Sequence, residues 1–202
     1  MQTLVTMLLI STVAVSTTIA QPRHKPGEVL PWPPASGTTL FTRDLPPGYM
    51  PTNLPDLADS SILIIDGTVG ELVVPRVLGF HNLETDAVIS ITTVLKGSQS
   101  LQRITVAQRG GTIGQFTSQP TDYSMMKLGE RYILFLTEEK RPNLPQVSVA
   151  PRYAITGAWA GLFRVDQQGK MVVKFSGPQG LLKYNGMAVS ALVGELSKAI
   201  MP

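Results

Sequence analysis

The sequence predicts a mainly β domain, a small antiparallel barrel or sandwich covered at an open end by one C-terminal amphipathic helix. Three observations predict it. Six or seven short runs between Ser60 and Phe175 are apolar or alternate apolar with polar residues, and turn-forming residues separate them. A convincing 3.6-residue apolar repeat is confined to Met187–Ile200. The 202 residues suit one domain with a real core, not two, once the N-terminal portion is set aside.

That N-terminal portion has two parts. Residues 1–22, MQTLVTMLLISTVAVSTTIAQP, carry no charge; Leu4 to Val15 has the length of a signal-peptide apolar core, and Thr18-Ile-Ala20 suits cleavage after Ala20. Residues 1–20 are therefore expected to be a signal peptide. Left uncleaved, the same stretch just reaches the roughly 20 residues of a membrane anchor. Either way the rest of the chain is extracytoplasmic. Residues 21–56 read as a proline-rich extended spacer or strap, because nine of the 16 prolines fall between Pro22 and Pro55 and remove backbone donors. Trp32 and Tyr49 within it either pin the strap to its own domain or serve as ligands for a partner's groove.

The domain proper is expected over 57–202. Ser60–Val69 is a continuous apolar run that loosens into alternation, with Asp66-Gly67 read as a bend. Thr85–Leu95 places Ile89, Ile91 and Leu95 on one face and ends at a Lys96-Gly97 turn; Ile104 and Val106 point inward in the next strand. Arg131–Thr137 is apolar on both faces and reads as a central strand. Tyr153–Thr156 and Leu162–Val165 follow, the latter joined to Lys170–Phe175 through the hairpin signal Asp166-Gln-Gln-Gly169. In the helix, 187–200, Val189, Leu192, Val193, Leu196 and Ile200 share a face, and Asn185 is placed to cap it.

One stretch invites a functional reading. Gln108-Arg-Gly-Gly-Thr-Ile-Gly114 follows a strand, as a phosphate cradle would, but its glycines fit neither G-x-G-x-x-G nor G-K-[ST], and no helical repeat follows. Glu130 stands at the start of a strand, where a ribose-binding acid would stand at an end. The stretch is expected to be a turn or bulge, and Arg109, Gly110, Gly111 and Gly114 form the loop where a partner's contact is expected.

The remaining chemistry is sparse. Cysteine is absent, which excludes disulfides, thiol catalysis and cysteine metal sites. His81 with Glu84 and Asp86 matches no zinc spacing and reads as a polar loop; His24 lies in the spacer. There is no nucleophile elbow. Asp66, Glu71, Asp122 and Glu130 are the candidates for a carboxylate pair assembled by the fold, each with an ordinary strand-end or turn explanation. A net charge of +3 is spread without a basic stripe, so nucleic acid is not an expected partner. No catalytic residue, cofactor or metal is expected.

The succession Ala58-Asp-Ser-Ser-Ile-Leu-Ile-Ile-Asp-Gly-Thr-Val69, Val94-Leu-Lys-Gly97, Gly110-Gly111 and Gly129-Glu-Arg-Tyr-Ile-Leu-Phe-Leu136 resembles a family of bacterial exported β domains with the pattern ADxVxxGTV, VLKG, GG, GExYLLFL. That family is in turn similar to the netrin-like, tissue-metalloproteinase-inhibitor type of OB barrel. Across Ala58 to Phe175 the resemblance implies a five-stranded OB-like barrel. It does not carry over the inhibitors' mechanism, which needs an N-terminal cysteine. The function expected is an exported, non-catalytic binding module for an extracytoplasmic protein, glycan or cell-surface polymer. The alternatives are a secreted hydrolase using carboxylates that meet in the fold, and a membrane-tethered interaction protein.

Overall fold

A computed structural model describes residues 39–42, 50–77, 83–139, 150–173 and 178–200, all within the unit Pro33–Pro202. The signal segment, His24, Trp32, Tyr49, His81 and Phe175 lie outside these residues. In chain order the elements are β1 (Thr39–Thr42), α1 (Leu54–Asp59), β2 (Leu63–Leu72), β3 (Arg76–Val77), β4 (Leu83–Lys96), β5 (Arg103–Arg109), β6 (Gly111–Ile113), β7 (Phe116–Pro120), β8 (Arg131–Glu138), β9 (Arg152–Ile155), β10 (Leu162–Val165), β11 (Met171–Val172), α2 (Gln179–Leu182) and α3 (Val189–Ile200).

Five strands close into a barrel in the order β8–β2–β4–β5–β9, with β9 pairing back onto β8. Numbered among themselves along the chain they run 1-2-3-5-4, the strand order of an OB barrel. Four of the five pairings are antiparallel; β5 and β9 run parallel, which the long connection through β6, β7 and β8 allows. The run Arg131–Thr137 is central as its two apolar faces require: β8 pairs with β2, β9 and β10. Tyr132, Leu134 and Leu136 alternate with Ile133 and Phe135, and all five are buried. Phe135 and Phe163 rings lie 5.5 Å apart, and Phe163 meets Tyr184 edge-on at 6.5 Å. With Leu192 and Leu196 of α3 they belong to one continuous core that also takes in Ile65, Ile89, Ile104 and Val106.

The β10–β11 connection is the expected turn: Asp166 Oδ1 accepts from the N–H groups of Gln168 and Lys170, and Gly169 is left-handed at φ 72°. Helix α3 starts at Val189, two residues later than the apolar spacing suggests. Asn185 does not cap it, because its Oδ1 accepts from the Val173 N–H at 3.0 Å. The Asp66-Gly67 pair is not a bend but lies inside β2 at a register shift against β4. A side chain at Gly67 would meet Ile89 Cγ2 at 2.6 Å, so the glycine permits the close approach.

Two elements begin within the span 21–56, expected as a proline-rich extended spacer or strap. The proline-free stretch between Pro34 and Pro46 supplies β1, which pairs parallel with β7. Helix α1 begins inside the same span; Pro55 falls at its first positions, where the missing N–H is no loss, and Asn53 Oδ1 caps the Asp56 N–H at 3.0 Å. The QRGGTIG stretch also does more than turn. The chain leaves the barrel at Gly110 and builds the β6–β7 hairpin, which with β1 forms a second, three-stranded sheet.

Candidate functional site

Each of the four residues Gln108 to Gly111 has a structural task, the first three against the segment that follows β7 and Gly111 against Pro75 and Thr85. Gln108 is buried, and its side chain holds Met126 at both backbone atoms: Oε1 accepts the Met126 N–H at 2.7 Å, and Nε2 donates to the Met126 carbonyl at 3.5 Å. The Arg109 carbonyl accepts from the Tyr123 hydroxyl at 3.1 Å. Tyr123 in turn stacks on Trp159, with ring centroids 6.1 Å apart. Gly110, at φ 105°, leaves no room for a side chain, since a Cβ would lie 2.7 Å from Met125 Sδ and 2.9 Å from the Ser118 carbonyl. Gly111 packs as closely against Pro75 and Thr85, and the Thr85 hydroxyl donates to the Gly110 carbonyl at 2.7 Å. The glycines are filled by the protein's own neighbours, while Gly114, at the hairpin turn, stands in open space.

Seated in this way, the segment Ser124–Lys127 divides two clefts. The first, of about 250 Å³, runs along the β6–β7 hairpin, where Thr112, Thr117 and Gln119 offer hydroxyl and amide groups beside Gly111. The second, of about 160 Å³, opens beside β8 and β10 and is lined by Glu130, Tyr132, Leu162, Arg164 and Val172. Ser124, Met125 and Lys127 line both. Tyr132 and Arg164 are register partners and so share a face, and Glu130 accepts from both, from the Tyr132 hydroxyl and from Arg164 Nη1 at 3.1 Å. Burial pushes the Tyr132 phenol well above its ordinary value, and the bond to Glu130 adds to the shift. Lys127 is exposed and has no ion-pair partner among the described residues.

The carboxylates are disposed differently. Glu84 and Asp86 lie in β4, not in a loop, and both are almost fully buried. They share two guanidiniums. Arg76 Nη2 reaches Glu84 at 2.6 Å and Asp86 at 2.9 Å, and Arg152 Nη2 bonds both, with Glu139 a further 3.5 Å from Arg152 Nη1. Among the described residues no three His, Cys, Asp or Glu side chains gather as a metal site would need. Asp66 is buried inside β2 and is held by both Arg131 Nε and Nη2. Glu71 is exposed beside Arg103.

Of the four residues expected in a contact loop, Gly111 lines the first cleft, Gly114 is at the hairpin turn, and Arg109 is exposed at the end of β5, opposite Glu84 in the ladder. Most of the groove is not signalled by any motif: Tyr132 and Arg164 come together through the β8–β10 register, and Ser124 and Lys127 through the bonds that Gln108 and Arg109 make to their segment. The hairpin itself has a signal in the sequence, a Gly-X pair between Ile113 and Phe116 followed by the alternation of buried Phe116, Ser118 and Pro120. Compared with known protein families and with curated proteins, the chain matches none.

Proposed function

We propose that this chain is an exported, non-catalytic binding module, and that it holds its partner along the groove that Ser124–Lys127 divides. The observation that carries the reading is the groove's lining: hydroxyls, one amide and a lysine without an ion-pair partner, next to a carboxylate already committed to Tyr132 and Arg164. Such a surface offers hydrogen bonds to a polar partner and no free acid–base pair. Export rests on the uncharged segment 1–20 and on the resemblance to bacterial exported β domains. Among the described residues no helix is long and apolar enough to cross a membrane.

The hydrolase alternative needs a carboxylate pair assembled by the fold; of its candidates, Asp66 is buried and held by Arg131, and Glu130 is bonded to Tyr132 and Arg164. Glu84 and Asp86 do meet, but each is 2–3% exposed and clamped between two guanidiniums. The test uses the mature protein with fractionated cell envelope and exported proteins. Retention on one fraction, weakened in a Lys127→Glu, Thr117→Val double variant, is expected. A protein that stays free with every fraction, or a double variant that binds as well as the parent, overturns the reading. An intact mass beginning at Gln21 removes the tethered alternative.

A further inference from the structure

We infer that the groove takes an anionic glycan, a chain of hydroxylated rings carrying carboxylates; this rests on the binding-module reading above. Among the described residues, none that lines the first cleft carries a carboxylate. Its accessible polar groups are the hydroxyls of Thr112, Thr117 and Ser124, the Gln119 amide and the Lys127 ammonium. Each hydroxyl both donates and accepts, which matches a sugar ring, whose hydroxyls do the same. Thr112 and Thr117 Oγ1 are hydrogen-bonded to each other at 3.0 Å, which holds both hydroxyls side by side with a donor and lone pairs left for adjacent ring hydroxyls. At about 250 Å³ the cleft is smaller than the roughly 300–1,000 Å³ of sites for drug-sized ligands, so it holds one unit of a chain. The chain then passes over Ser124–Lys127 into the second cleft.

A peptide fits less well. The β6 strand is three residues long and pairs with β7 through all three, so its outer edge leaves the N–H and C=O of Thr112 as the ladder, too little for strand addition. Among the described residues, Met125 is the one large apolar side chain lining the cleft, which gives no series of apolar pockets for alternate side chains. A neutral glycan would leave Lys127 unused. The lysine has no ion-pair partner among the described residues and lines both clefts, so a carboxylate on the chain meets it wherever the chain crosses.

The test titrates the mature protein with oligogalacturonate, with a neutral cello-oligosaccharide of equal length and with poly-glutamate, each at low and high salt. Binding of the oligogalacturonate alone is expected, weakened by salt and weakened about tenfold by Lys127→Gln, as loss of a charge-assisted bond implies. Thr117→Val, half-buried at the cleft wall, is expected to weaken it as well with the melting temperature unchanged. Equal binding of the neutral oligosaccharide, binding of poly-glutamate, or an unaffected Lys127→Gln variant overturns the glycan inference. If no probe binds but an envelope fraction is still retained through Lys127 and Thr117, this inference falls and the binding-module reading stands. If nothing at all is retained, both fall.

Discussion

Gly110 and Gly114 both have positive φ, yet they differ in what surrounds them, and the difference sets what a methyl group would cost. At Gly110 an added Cβ meets Met125 Sδ at 2.7 Å, Pro120 Cδ at 2.9 Å and the Ser118 carbonyl at 2.9 Å, with φ 105° already unfavourable for an L side chain. The backbone carbonyl cannot step aside without disturbing β7. At Gly114, φ is 58° and nothing lies within 4 Å. Gly110→Ala is therefore expected to cost about 3 kcal/mol or more, combining backbone strain with overpacking, and Gly114→Ala about 1 kcal/mol. Urea unfolding of the two variants checks the order. Equal losses would mean that backbone strain alone sets the cost at Gly110 and that the packing beneath Met125 is loose.

At the level of elements, the exit of β5 and the segment Tyr123–Lys127 form one unit. The Gln108 side chain occupies the place that a neighbouring strand's backbone would take against Met126, accepting from its N–H and donating to its carbonyl. Gln108→Leu keeps the volume and removes both bonds, leaving the Met126 N–H buried without its partner. The expected cost is about 1–3 kcal/mol. The more telling measurement is local: amide exchange at Met126 should accelerate while that of the β8 core amides follows the global loss alone. An unchanged Met126 rate would show that the segment is held by Tyr123 and Met125 instead. This unit also shows why the groove was only partly legible in the sequence. The strands announce themselves by alternation and the β10–β11 turn by Asp166 and Gly169, because those signals are local. Gln108 reads as one more polar residue after a strand, and its role depends on a residue 18 positions away. Glu84 and Asp86 look like loop acids for the same reason, since Arg152, which neutralises them, arrives 66 to 68 residues later.

Across the whole molecule, folding buries two tyrosines, Tyr132 and Tyr184, whose phenols are raised, and the alkaline loss of stability is expected to follow from them. Tyr132 is 2% exposed; burial is the main cause that raises its phenol, followed by the bond to Glu130. Tyr184, buried among β10, α2 and α3, is raised too, again chiefly by burial. In the unfolded chain both titrate near the ordinary value of about 10. A phenol whose folded value lies above its unfolded value favours the folded state least where only the unfolded chain can ionise. Stability is thus fully present below about pH 10 and falls as pH rises beyond it, with the unfolded state releasing protons the folded state keeps. The mature protein should therefore hold a level melting temperature from about pH 8 to 10 and lose it progressively above about pH 10. Tyr132→Phe removes one of the two titrations and also the hydrogen bond to Glu130, so the variant should melt lower at pH 8 yet fall less steeply above pH 10. A variant with the parent's slope would assign the alkaline loss to Tyr184 and other groups, and would mean that Tyr132 reaches water before the barrel unfolds.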